Sequence, residues 1–350
     1  MRLNDEQLRS LVNAGHLYEI WKDVMVQLAK LPGGMYWRVI NSKEYLYKYA
    51  TDPVGIQQTK SLGPRTSQTE YAYREFQQTK KPLEERRAGV EARIKELAPA
   101  WRALRLPAID RATGRILRML DQANLVGTSV LVIGTYALKA YEVESASNFS
   151  VGMDATEDLD LTLCLNDGNV DPDVPRRLLL TLKQVYSSFI VSPSSATTLV
   201  NKNGYKIDLL TNNTVAPQYS TARPWKPEAL QGQEWLLLGK PVNAVLIDFD
   251  GWPVRIAAPD PRYFALHKLW LSKSRGRPAA KRVKDERQGK ALLDAIKEYM
   301  DHYALDTEFV ANLPAELRDQ LPSAEGPESP ERGTSMETRC AARRAQQNVR

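Results

Sequence analysis

The segment VGMDATEDLDLTL constrains this 350-residue chain more than any other stretch. Within it, Asp158 and Asp160 alternate with Leu159, Leu161 and Leu163. Alternate side chains of a β-strand share a face, so both carboxylates point one way while the leucines enter a core. Two half-buried like charges repel each other, a costly arrangement unless a cation neutralises them. Donor sets made only of oxygen suit Mg²⁺ or Mn²⁺. Asp208 in YKIDLL has the same setting, flanked by Ile207, Leu209 and Leu210. An aspartate inside so apolar a strand needs a reason, and joining the metal site from a neighbouring strand supplies one. Three aspartates can hold two divalent ions about 3.5–4 Å apart, which clamps the attacking and leaving oxygens of a phosphoryl transfer.

Upstream, VLVIGTYALKAYE reads as a buried strand, a Gly134-Thr135 turn and a helix start. Glycine lets a triphosphate approach the backbone, a helix N-terminus offers free N–H groups, and the Thr135 hydroxyl adds a donor. Any strand-to-helix turn can carry Gly-Thr, so this element gains meaning only from its place before the aspartates.

Composition removes other classes. Hydrophobic residues make up 43% and charged residues 26%, an ordinary globular balance. No uninterrupted apolar run reaches membrane-spanning length. The N-terminus is amphipathic and acidic rather than signal-like, so the cytoplasm is the expected compartment. Two cysteines, Cys164 and Cys340, and three scattered histidines leave nothing from which to build a disulfide scaffold or a zinc site. Net charge is +6, and residues 275–290 hold seven Lys/Arg against two acids. That stretch can face phosphates or simply be a solvated helix face.

Four regions are expected. Residues 1–110 form an N-terminal region: one or two helices to about residue 30, then strands around a turn at Asn41-Ser42, then a long charged helix. Tyr45, Tyr47 and Tyr49 alternate on one strand face near Arg38, Lys43 and Lys48, a mixture that can stack and neutralise nucleic acid or pack on a neighbouring element. SLGPRTSQTE reads as a turn-rich link. Val90, Ile94, Leu97, Trp101 and Leu104 form one helical stripe. Residues 111–255 are the catalytic unit, with a hairpin turning at Asp250-Gly251. A helical portion spans 256–320, and 321–350 reads as a disordered tail. The fold class is α/β (α+β), a small mixed sheet flanked by helices.

In order, IGT (Ile133–Thr135), TEDLDL (Thr156–Leu161) and KIDLL (Lys206–Leu210) resemble the DNA-polymerase-β-like nucleotidyltransferase superfamily. PDPRYFALHKLWLSKSRGR and KRVKDERQ further resemble one uncharacterised bacterial branch, with a Lys-bearing helix after the catalytic sheet. The resemblance covers roughly residues 110 to 300. It implies that Asp158 and Asp160 bind two metals, that Asp208 binds the one activating the acceptor hydroxyl, and that Gly134 and Thr135 hold the triphosphate. Lys268 is the candidate phosphate contact. The implied reaction moves a nucleoside monophosphate from an NTP to an acceptor and releases pyrophosphate; the acceptor is an RNA 3′ end, such as tRNA, or a protein hydroxyl. Thr135 departs from the family's small Gly or Ser but keeps a hydroxyl. The 24-position step from Gly134 to Asp158 implies an insertion, around Val143 to Asp154, looping over the site.

Decoys and rivals remain beside this reading. Asp248 and Asp250 repeat the Asp-x-Asp pattern, but Asp250-Gly251 is a hairpin turn. His267 reads as packed rather than as a base, and Asp285 as capping or pairing with Lys281 or Arg282 on its own helix. The rival from another class is a non-catalytic, nucleic-acid-binding or regulatory protein that keeps the fold. A two-carboxylate glycosidase is the more distant alternative.

Overall fold

A computed structural model of the chain describes residues 2–31, 33–51, 57–149, 158–164, 170–219, 221 and 224–321. The tail expected at 321–350 lies outside the described residues apart from Leu321. The N-terminal region begins with α1 (Asp5–Ala29), a single helix opened by a capping box between Asn4 and Gln7. A meander follows: β1 (Gly34–Ile40), β2 (Lys43–Thr51) and β3 (Gln57–Pro64), all antiparallel. The turn at Asn41-Ser42 has positive φ at both residues, as a tight hairpin requires. Of the link expected over SLGPRTSQTE, Ser61–Pro64 end β3, because this polar stretch pairs with β2 through its backbone, and Ser67 already opens the next helix, which leaves Arg65 and Thr66 between them.

The long helix α2 (Ser67–Ala103) carries the expected stripe. Ile94 and Trp101 are buried with Leu3, Leu11, Leu106 and Ile247, so the stripe is core. Then come β4 (Ala108–Ile109), α3 (Arg111–Gln122), β5 (Val130–Ile133), α4 (Ala137–Glu144) and β6 (Asp158–Leu163). The chain continues through α5 (Val174–Val185), β7 (Ile190–Ser192), β8 (Ser195–Val200), β9 (Lys206–Asn212) and β10 (Glu228–Leu230). The expected hairpin is β11 (Val242–Asp248) with β12 (Pro253–Ala258). Helices α6 (Pro261–Lys273), α7 (Ala279–Tyr299), α8 (Thr307–Ala311) and α9 (Ala315–Arg318) complete the helical portion.

The aspartate-bearing sheet has the order β5-β6-β9-β8-β7, with β10 also beside β9. It is mixed: β6 with β9 and β10 with β9 are parallel, the other pairs antiparallel. A second sheet, β12-β11-β4, backs onto α1 and α4. Asp121 on α3 ties the first helix to this body. It is fully buried and accepts from Tyr18 Oη at 2.8 Å, Lys22 Nζ at 2.9 Å and Arg255 Nη1 at 2.7 Å. Three donors are what a buried carboxylate needs. Among the described residues no helix is long and apolar enough to cross a membrane.

Candidate active site

Strand pairing assembles the acids. In the parallel pair, Asp160 of β6 stands level with Asp208 of β9, and Asp158 with Lys206. Adjacent strands lie about 4.8 Å apart, so the carboxylates of Asp160 and Asp208 rise side by side from one face. Leu159, Leu161, Ile207 and Leu209 fill the opposite face and are fully buried. On the other flank, Ile133 at the end of β5 pairs with Asp160. Gly134 follows at φ +66°, and a Cβ there would stand 2.0 Å from Asp160 Oδ2. Backbone sign and the neighbouring carboxylate therefore both demand glycine.

Asp208 Oδ1 accepts from Thr198 Oγ1 at 2.6 Å. Burial first, and then the Asp208 charge, push the Asp160 carboxyl up to about 6, while the ammonium of Lys268 pulls the other way. Among the described residues no three His, Cys, Asp or Glu side chains form a cluster that could hold a metal ion as they stand. Asp160 and Asp208 nevertheless present hard oxygens in a setting that repels a second negative charge, the chemistry a hard divalent cation relieves. The expected insertion does not loop away at its start. Val143 and Glu144 end α4, and Ala146 and Ser147 pair back to Leu3 and Arg2. Residues 150–157 lie outside the described residues.

The opposite wall is helical. Asp260 caps α6 by accepting from the Arg262 backbone N–H at 3.0 Å, and Pro261 supplies its first turn. Lys268 lies buried on this helix, and its Nζ donates to Asp285 Oδ1 at 2.9 Å. Arg277 Nε donates to Asp285 Oδ2. The expectation that Asp285 pairs along its own helix is thus corrected. Asp285, Gln288, Gly289, Leu292, Leu293 and Ile296 form the buried stripe of α7, so the carboxylate faces inward, toward α6. It holds two cations in position.

Between the walls lies a cavity of about 380 Å³, inside the roughly 300–1,000 Å³ typical of small-molecule sites. Gly134, Asp160 and Asp208 line one side, and Lys268, Arg277 and Lys281 the other. Leu210, Leu230, Leu236, Trp270 and Gln233 also contribute to the lining. Thr135, which is buried, and Asp158, which is half-buried, are not part of that lining. His267 is packed, as expected, beside the rings of Trp235 and Trp270. Burial, then the charge of Lys268, push its imidazole down to about 3, so it is neutral. His267 Nε2 and Gln233 Oε1 are buried atoms of the lining residues with no hydrogen-bond partner among the described residues.

A family model described as nucleotidyltransferase matches residues 111–312. The chain belongs to the nucleotidyltransferase family. A general nucleotidyl-transfer activity goes with that membership. The match takes in both walls of this nucleotidyltransferase's cavity and leaves α1, the meander and α2 outside it. No curated protein and no solved structure matches the chain.

Among the nucleotidyltransferase's lining residues, Gln233 and Leu236 carry no motif, whereas Trp270 and Arg277 lie in the stretch that resembles the bacterial branch but were not singled out within it. Asp285 did leave a signal. It opens an apolar stripe on α7, where an unpaired acid is out of place.

Proposed function

We propose that the protein transfers a nucleoside monophosphate from an NTP to an acceptor hydroxyl and releases pyrophosphate. The observation that carries this reading is the register of Asp160 with Asp208, next to the Gly134 turn and across the cavity from Lys268, Arg277 and Lys281. Residues 111–255 supply the acidic wall and residues 256–320 the cationic one. Asp158, Asp160 and Asp208 would hold Mg²⁺ or Mn²⁺, which when bound neutralises charge on the reacting phosphate and lowers the acceptor hydroxyl's pKa.

The chain's own groups do the rest. The Gly134 turn gives the triphosphate close access to the backbone, with Thr135 shaping the turn from its buried position. Lys268 and Arg277, held by Asp285, face the phosphates, and Lys281 adds an exposed cation. The nucleoside rests against Trp270 and Leu230, where Gln233 Oε1 and His267 Nε2 find the partners they lack. The acceptor hydroxyl releases its proton to solvent as its oxygen bonds to the α-phosphorus, the α–β phosphoanhydride bond breaks, and pyrophosphate leaves with the electron pair. Catalysis on this account is positioning and charge stabilisation.

The acceptor is an RNA 3′ end, tRNA included, or a protein hydroxyl. The test incubates the protein with each α-labelled NTP, Mg²⁺, and cellular RNA or lysate. Label entering RNA or protein, and lost in Asp158→Ala, supports transfer. Absence of label with every NTP and every extract favours the non-catalytic binding protein.

A further inference from the structure

The meander holds an aromatic face that the transfer site does not use. Register places Tyr36 and Arg38 of β1 beside Tyr47 and Tyr45 of β2, with Tyr49 next along β2. The Tyr36 ring stacks on that of Tyr47 at 5.8 Å and meets that of Tyr49 at 6.1 Å. The Arg38 guanidinium lies 6.0 Å from the Tyr47 ring centre. Gly34 makes room for this cluster, since a Cβ there would fall 2.7 Å from the Tyr49 ring.

The other face of the meander is taken by α2. Leu46 is fully buried, Trp37 packs on Tyr73 at 5.8 Å, and Arg65 covers Trp37 at 5.1 Å. The tyrosine face is partly open: Tyr36 is 37% exposed, Tyr45, Tyr47 and Tyr49 are half-buried, and Arg38 and Lys43 are exposed. Among the described residues its charge has one sign. Strand alternation puts Lys43 on the same face as the tyrosines, whereas Glu44 points to the other side and pairs with Arg65 at 2.6 Å. Thr59 and Ser61 of β3 stand level with Tyr49 and Tyr47 and add hydroxyls. From Tyr73, under the meander, to Ile94, in the body's core, α2 runs roughly 30 Å. The face is thus carried well out along a helix.

We propose that this tyrosine face binds an unpaired RNA strand. Exposed rings on a sheet take bases by stacking regardless of sequence, and cations at the rim take the phosphates. A fully apolar partner would leave Arg38 and Lys43 without counter-charge, whereas a polyanion neutralises them. The hydroxyls of Thr59 and Ser61 suit a ribose 2′-hydroxyl, which DNA lacks. The inference goes beyond the transfer reading and does not depend on it.

The test uses the full chain and a short fluorescein-labelled single-stranded RNA of mixed sequence, read by anisotropy with no nucleotide present. Tyr36→Ala with Tyr47→Ala weakens binding by about tenfold or more, while Tyr36→Phe with Tyr47→Phe keeps it, because stacking needs the ring and not the hydroxyl. Arg38→Ala and Lys43→Ala each flatten the salt dependence, by about 0.7 in the slope of log K against log salt. DNA of the same sequence binds more weakly. An unchanged dissociation constant in the Ala pair, equal affinity for DNA, or no RNA binding by the intact chain overturns the proposal. So does a protein partner lost by the Ala pair while RNA binding stays. If the Ala pair unfolds in a thermal melt, the Phe pair and the two charge variants decide. With no NTP in the assay, RNA binding can fail while transfer succeeds, and the reverse.

Discussion

The chain contains Asp-x-Asp twice in β-structure, and the two copies meet opposite fates. At the end of β11, Asp248 is buried but fully answered. Arg118 Nη2 donates to it at 2.8 Å, and the backbone N–H groups of Asp250 and Trp252 donate at 2.9 and 3.0 Å. Asp250 pairs with Arg111 at 2.7 Å on the surface. On β6, Asp160 faces Asp208 instead, and its carboxyl is pushed up to about 6 by burial and by that like charge. The charge of Asp248 is answered within the fold, whereas that of Asp160 faces a like charge, which on the proposed function an incoming cation would offset.

Exchanging the two roles by mutation is the strongest way to break this comparison. Asp160→Asn is expected to lower nucleotidyl transfer by roughly 10³-fold, on the scale of losing a charge-stabilising group, with the thermal melt unimpaired. Asp248→Asn is expected to do the reverse. It strands Arg118 beside a neutral amide and costs about 3 kcal/mol of stability, read by denaturant unfolding, while specific activity per folded molecule holds. If Asp248→Asn silences transfer in folded protein, or Asp160→Asn leaves it intact, the division of labour is wrong.

A smaller effect follows at the turn that crowds Asp160. Gly134→Ala sets a methyl against its carboxylate at positive φ. Displacing a reacting group by about an ångström is expected to lower kcat by about 10²-fold. An unaltered kcat would show that the close approach has no bearing on catalysis.

The smallest effect sharpens the comparison through pH. Asp160 is an acid whose folded pKa lies above its ordinary value of 3.8, at about 6. The folded chain holds that proton more tightly than the unfolded chain. Its contribution to stability is therefore present at low pH and lost as pH rises from about 4 through 6. In metal-free protein, Asp160→Asn should melt a few degrees above the parent, about 2–4 °C, at pH 8. The gap should close toward pH 4, and added Mg²⁺ should narrow it at pH 8. A gap that widens on acidification reverses the sign and refutes the account.

Legibility differed in a physically regular way. The strand alternation around Asp158, Asp160 and Asp208 and the turn at Gly134 were readable because they are local. So was the stripe from Val90 to Leu104, which the fold buries at Ile94 and Trp101. Misreadings fell where pairing is long-range. The end of β3 looked like a link because its residues are polar, yet its backbone completes a sheet. Asp285 read as capping or pairing with Lys281 or Arg282 on its own helix because its actual partners, Lys268 and Arg277, lie before that helix. Helix α5 and the β7–β8 hairpin lie between the two aspartate-bearing strands and carried no distinctive motif.

By itself the sequence determined which face each aspartate shares with its neighbours two residues away, because the period of a strand is set by covalent geometry. It also determined that a glycine turn and a lysine-bearing helix bracket those strands in chain order. Only the tertiary structure decided that Asp160 is level with Asp208 while Asp248 receives Arg118 from helix α3. Strand register and helix packing arise from the simultaneous fit of distant side chains, and no local pattern encodes which charge will stand opposite.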